Sequence, residues 1–158
     1  MPSISKVEYL DFSDNMLMKQ GVPALEKLVK EAKNLKFISL SDLTIQSSRC
    51  QRRVIQSFLE SESKASLEEI RWNYDLERAK VAFEFLNTVV SPAFPRLARL
   101  QMVGSLHDRN SRARARALGT QNNVELLVNE HELNDDSDNE SLSGTDVEEE
   151  TSQGSSSD

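Results

Sequence analysis

Cysteine is almost missing from this sequence: Cys50 is the only one in 158 residues. A single thiol excludes an intrachain disulfide and suits a reducing compartment. It also excludes the paired thiolates of most structural zinc sites. Only two histidines occur, His107 and His131, and neither has a convincing set of partners. No metal and no cofactor are therefore expected. Gly104 and Gly119 do not form a phosphate-cradling loop. No run of 18 apolar residues exists, so no transmembrane helix and no membrane partner are predicted. Positions 1–6 lack the basic-then-apolar order of a secretory signal. These absences leave a soluble, intracellular protein with no active site of its own.

Basic residues are missing from one region only. Positions 134–158 carry nine acidic side chains, seven serines, no aromatic residue and no base. Leu142 and Val147 are its only sizeable apolar residues. Such a segment cannot bury enough surface to offset its ordering entropy, so a disordered acidic tail is predicted there. The formal charge of -7 is thus misleading. The rest holds 17 acidic and 19 basic residues and is nearly neutral. Two regions follow: a folded domain over 1–133 and a tail over 134–158.

What is present in the folded part is a repeated pattern. Val7, Leu10, Phe12, Asn15 and Leu17 fit L-x-x-L-x-L-x-x-N-x-L. This is the signature of a leucine-rich repeat, one short strand plus one helix per unit. Leu10 and Phe12 alternate with Tyr9, Asp11 and Ser13, which gives the strand one apolar face. Asn15 can hydrogen-bond backbone groups where the chain turns away. Gly21 is expected to open a helix over about 22–32, with Pro23 in its first turn. Val22, Leu25, Leu28, Val29 and Ala32 share one face of it.

The pattern recurs. Leu35, Ile38, Leu40 and Ile45 repeat it, with Leu43 at the asparagine position and a turn there looser or differently satisfied. After a polar stretch over 46–53, a helix is expected to carry Val54, Ile55, Phe58 and Leu59 inward. Leu67, Ile70 and Trp72 begin a third unit, in which Asp75 can replace asparagine as acceptor. Its helix, about 78–90, points Val81, Ala82, Phe85, Leu86 and Val89 inward. Leu97, Leu100 and Met102 begin a fourth, with Ser105 for asparagine and a short helix over 111–118 ended by Gly119. A last strand is expected over 124–128. The starts are 28, 32 and 30 residues apart, lengths that fit a full helix in every unit. The fold predicted is an α/β leucine-rich repeat solenoid of four to five strand-helix units. A generic α/β domain with alternating strands and helices is the alternative, and the shared L-x-x-L-x-L start disfavours it.

Solenoid ends need caps. Only Pro2 and Ile4 precede Val7 as candidates, so the first unit is expected to expose part of an apolar face. Either the chain is the C-terminal piece of something longer, or that side meets a partner or a second copy. The arginine-rich fourth helix and residues 124–133 are expected to close the other end.

The outward strand positions form a candidate partner-binding face, expected to be concave. They are Tyr9, Asp11 and Ser13, then Phe37, Ser39 and Ser41, then Glu69, Arg71 and Asn73, then Arg99, Gln101 and Val103. Tyr, Phe and Arg are enriched in interfaces. Trp72 sits at an inward position and reads as core. Arg96, Arg99, Arg109, Arg112, Arg114 and Arg116 form a basic cluster. It suits an acidic partner, RNA phosphates or the chain's own tail, or it is simply a solvated face. No aromatic residues interleave, which speaks against nucleic acid. Ser137-Asp138-Asn139-Glu140 and Thr145-Asp146-Val147-Glu148 have the look of acid-directed phosphorylation sites.

Leu10-Asp11-Phe12-Ser13-Asp14-Asn15-Met16-Leu17, with Gly21 six residues after Asn15, resembles the Ran GTPase-activating protein family. Phe94-Pro95-Arg96-Leu97-Ala98-Arg99-Leu100-Gln101-Met102-Val103-Gly104 resembles that family's last repeat, with Ser105 where the family has asparagine. A helix, a short apolar stretch and an acidic run then follow in the family's order, and the likeness spans about residues 7–150. The resemblance implies a crescent of repeats that stimulates GTP hydrolysis by Ran in nucleocytoplasmic transport. Contacts would run through the loops and rim at the strand ends and would order Ran's own catalytic groups, without an arginine finger. The family's most important residues lie in earlier repeats, so no catalytic residue is carried over. A shortened relative, cytoplasmic or at the nuclear envelope, is what the resemblance implies. A non-catalytic protein-binding module is the alternative.

Overall fold

Each apolar alternation in the sequence becomes a three-residue strand, and each 3.6-period stretch becomes a helix. The computed structural model describes residues 3–134. A 3-10 helix, Ile4–Lys6, leads into β1 (Tyr9–Asp11), α1 (Met18–Glu31), β2 (Phe37–Ser39), α2 (Ser48–Leu59) and β3 (Glu69–Arg71). Then come α3 (Ala79–Val89), β4 (Arg99–Gln101), α4 (Arg109–Gln121), β5 (Glu125–Leu127) and α5 (Glu130–Asn134). The five strands form one parallel sheet in sequence order. Leu10, Ile38, Ile70, Leu100 and Leu126 stand in one register row. This α/β architecture is compatible with a strand-helix repeat solenoid, in which each unit packs on its neighbours. Helix α5 crosses the expected 133/134 boundary by one residue. The rest of the predicted tail, its phosphorylation motifs included, lies outside the described residues. Among the described residues no helix is long and apolar enough to cross a membrane.

The core lies between sheet and helices and is densest in the third unit. Trp72 is fully buried, as expected, with its ring edge-on to Phe85 at 5.0 Å. Phe58 joins from α2, its centroid 5.7 Å from Phe85. All five expected core positions of α3 are buried. Two expected inward residues are not: Leu59, at the last position of α2, is exposed, and Leu28 is only half-buried.

Three helix boundaries differ from expectation, each for a local reason. Helix α1 begins at Met18, so Gly21 and Pro23 lie inside it. A Cβ on Gly21 would stand 2.5 Å from Leu17 Cδ1, so the glycine makes room for Leu17 and does not open the helix. Helix α2 begins at Ser48, within the polar stretch, where the Ser47 hydroxyl accepts from the Cys50 N–H. Gln51 in that stretch is buried because its Nε2 donates to the carbonyls of Ile45 and Asp75, both at 2.7 Å. Helix α4 runs on to Gln121, and Gly119 lies within it. A Cβ there would sit 2.8 Å from the Val124 carbonyl oxygen, so that glycine permits close packing of helix on strand. The left-handed residue that turns the chain is Asn123 (φ 56°).

The turn after each strand repeats the same geometry. Asp14, Asp42, Tyr74 and Gly104 all have positive φ, each three residues beyond its strand's end. The next position is the expected asparagine site, and its four occupants behave differently. Asn15 is exposed, and its Nδ2 donates to the carbonyls of Phe12 and Ser13 within its own unit. Leu43 is buried as an apolar residue. Asp75 is also buried, and its carboxylate accepts from the Leu43 N–H at 2.9 Å. The second turn, which lost its asparagine, is thus held by the third unit. Burial pushes the Asp75 carboxyl above its ordinary value, although the N–H groups of Leu43, Thr44 and Ile45 pull the other way. Ser105 is fully buried.

The two ends differ. At the first unit Ile4, Val7, Leu10, Phe12 and Leu17 are only partly buried, in line with the apolar exposure expected there. A hollow of about 100 Å³ opens there between Phe12, Leu17, Leu28 and Leu43. At the other end Glu132 of α5 accepts from the N–H groups of Val128 and Asn129, both at 2.8 Å, and from Arg116 of α4. These bonds form the polar closure expected of that end.

Candidate functional site

The sheet face away from the helices carries the outward strand residues in rows set by register. Tyr9, Phe37, Glu69, Arg99 and Glu125 form the first row. Asp11, Ser39, Arg71, Gln101 and Leu127 form the second. Ser13, Ser41, Asn73 and Val103 follow two residues further along their strands. Parallel pairing without slip is what aligns residues 26 to 32 apart in sequence.

These rows divide into an accessible part and a closed part. Tyr9 is 68% exposed and stacks on Phe37 with centroids 5.9 Å apart. The Arg71 guanidinium lies over the Phe37 ring at 4.9 Å, and its Nε donates to Glu69 at 2.6 Å. The result is a stack of phenol, phenyl and guanidinium, a geometry of favourable ring and cation–π contacts. Arg99 approaches Glu125 at 3.6 Å. A groove of about 250 Å³ runs along this row between Tyr9, Phe37, Lys36, Glu68 and Arg99.

Ser39, Asn73, Gln101 and Val103 correct the expectation of a uniformly open face, because all four are buried. Asn73 donates to the Gln101 side chain and accepts from the Val103 N–H, at 3.1 and 2.8 Å. Ser39 and Ser13 share a hydroxyl hydrogen bond. These polar groups are satisfied by their neighbours and tie the strands together. Asp11 is exposed, and its Oδ1 accepts from the Ser13 N–H at 2.9 Å. Bonds from Ser13 hold its carboxyl below the ordinary value, with the charge of Arg71 adding to the effect. That N–H lies on the unpaired side of β1, so Asp11 covers part of the open sheet edge.

The loops beyond the strands hold what sequence reasoning missed. Met16 (77% exposed), Met18 and Tyr74 project there as large apolar side chains. A polar hollow of about 490 Å³ lies between Asp42, Thr44, Gln46, Tyr74 and Arg78. Asp75 borders it, but its carboxylate already faces three backbone N–H groups, which leaves it poorly placed to take a proton from a substrate. The only cue to this rim was that Met16 and Tyr74 stand between the letters of the repeat pattern and Met18 just after its last one.

The basic cluster is not one patch. Arg112 donates to the carbonyls of Leu106 and His107, at 3.0 and 2.6 Å. Arg114 covers the Phe83 ring at 4.6 Å, and Arg116 binds Glu132. Arg96 lies in the loop before β4, and Arg109 is exposed at the start of α4. His107 and His131 are exposed and Cys50 is buried. Among the described residues no group of three or more His, Cys, Asp or Glu side chains is placed to hold a metal ion. No protein-family model, curated protein or solved structure matches the chain.

Proposed function

We propose that this chain is a leucine-rich repeat module that binds a protein partner through the open face of its sheet and catalyses nothing itself. The observation that carries this reading is the Tyr9, Phe37 and Arg71 stack, an accessible aromatic and guanidinium cluster on a parallel sheet. Such clusters have the composition of interface hot spots. The in-register rows and the left-handed residue in each turn support the repeat assignment.

The resemblance of residues 10–17 and 94–104 names the partner to test first, a Ran-type small GTPase. On this reading the chain is a shortened relative of the Ran GTPase-activating proteins, working in the cytoplasm or at the nuclear envelope. The test is single-turnover GTP hydrolysis by Ran with and without the chain, paired with binding to Ran loaded with a non-hydrolysable nucleotide. Binding without acceleration is expected, and Tyr9→Ala with Arg71→Ala should weaken it at least tenfold. A large rate increase would mean that these units suffice for activation. Absence of both binding and acceleration removes Ran and leaves a binding module with another partner.

A further inference from the structure

The turns after β2 and β3, with the start of α2, enclose the polar hollow of about 490 Å³. Its walls are held in place. Asp42, Thr44 and Tyr74 all have left-handed backbones, and none is glycine. The Asp42 N–H donates to the Asn73 carbonyl at 3.0 Å, and the Tyr74 N–H to the Val103 carbonyl at 2.8 Å. The Asp75 carboxylate accepts from the Leu43 N–H, between Asp42 and Thr44, at 2.9 Å. The Tyr74 ring lies against Gly104, where a Cβ would come within 3.1 Å of it. Groups fixed in this way lose little freedom when a ligand arrives.

The side chains around the hollow are rich in acceptors. Asp42 and Glu77 are exposed carboxylates that make no ion pair among the described residues. Gln51, only 2% exposed, lines the hollow too. Its Nε2 is committed to the carbonyls of Ile45 and Asp75. Its Oε1 is left over, with no donor to it among the described residues. An acceptor so enclosed favours a ligand that brings a donor. Tyr74 adds a ring that is 45% exposed. Arg78 is the one base on the lining. Carboxylates, an amide oxygen and a ring face suit a planar cation with several donors. A guanidinium is that group: its N–H donors form a fixed fork and its plane stacks on aromatic rings. An ammonium is a compact, strongly hydrated charge and fits less well.

A second hollow of about 210 Å³ adjoins the first, sharing Thr44, Ile45 and Gln46, and is lined by the exposed Met16 and Met18. A small cation would leave this apolar lip uncovered, whereas a protein surface would cover it. We propose that the larger hollow is a socket for an arginine side chain of a protein partner. Asp42 and Glu77 are its counter-charges, Gln51 a further acceptor and Tyr74 the stacking surface. The socket is separate from the Tyr9, Phe37 and Arg71 stack, and the inference stands whether or not Ran binds there.

The test titrates the isotope-labelled full chain with Nα-acetyl-arginine amide and follows the backbone amide shifts. Saturable shifts should concentrate on residues 42–48 and 74–78. The lysine analogue should bind several-fold more weakly. The citrulline analogue, which keeps the shape and loses the charge, should not bind. Asp42→Asn with Glu77→Gln should abolish the saturable shifts. Both side chains are exposed, and asparagine tolerates the left-handed backbone at position 42, so the fold is kept. Tyr74→Asn, at another left-handed position, should weaken binding several-fold. Arg78→Ala should bind at least as tightly as the parent, because it removes a like charge. Shifts centred elsewhere, equal binding of the citrulline analogue, or binding kept in the double variant and lost in Arg78→Ala overturns the proposal. Tighter binding of free L-arginine than of the blocked form would overturn a protein partner as the source of the guanidinium.

Discussion

The first unit fits the repeat pattern best, yet it is the least well buried. Leu10, Phe12 and Leu17 satisfy every marked position but stay partly exposed. The third unit departs from the pattern at Trp72 and Asp75, and its inward strand and helix positions are buried. The contrast shows that the motif specifies which way a side chain points, while the neighbours on either side decide how much water it loses. Strand β3 has a unit on each side, and β1 has one.

The sharpest way to break this comparison is a pair of truncations. Trp72→Ala should cost about 3–5 kcal/mol, since it leaves a large hole against Phe85. Phe12→Ala, at a corresponding inward position, should cost only about 1 kcal/mol because it is half-buried already. Urea denaturation of both variants checks the ranking, and equal losses would mean that the first unit is covered in solution.

A second pair compares the shared turn position. Asp75→Ala should cost about 2–3 kcal/mol, because buried backbone N–H groups lose their acceptor. Asn15→Ala should change stability by less than about 0.5–1 kcal/mol, since the amide serves an exposed turn. Asp75→Asn keeps an acceptor oxygen and should fall between them. It also isolates a pH effect. A folded carboxyl raised above its unfolded value binds more protons in the native state, so this group's contribution to stability declines as pH rises through that interval. Denaturation midpoints from pH 3 to 7 should lose that declining component in Asp75→Asn.

The smallest effect belongs to the helical surface. Glu26→Gln, which breaks the pair with Arg53, should cost no more than about 1 kcal/mol and should lose even that in high salt. Thermal melts at two salt concentrations would show it.

The strands, their order and most of the core were legible because period-two alternation and spacing near 30 residues survive every substitution. Helix starts were not, because they depend on contacts the pattern does not encode: Leu17 against Gly21, and Gln51 bridging two carbonyls. The candidate face was half legible. Register brings Tyr9, Phe37 and Arg71 together, which the outward positions implied. The burial of Asn73 and Gln101 was not implied, because it follows from their bond to each other across two strands. Met16 and Tyr74, in the loops, and Met18, at the first position of α1, carry no periodic signal of their exposure.

The unslipped register has a metric consequence for any partner. Rows on the open face repeat at the strand spacing, about 4.8 Å. An extended peptide laid across the strands presents one-sided side chains about 6.7 Å apart. Like the two scales of a vernier, these fall out of step by roughly 2 Å per strand. A helix laid the same way repeats once per 5.4 Å turn and drifts by only about 0.6 Å. From β1 to β5 that is a total slip near 2 Å for a helix and about 8 Å for an extended strand. A helical surface crossing these rows would keep step with them better than an extended strand would.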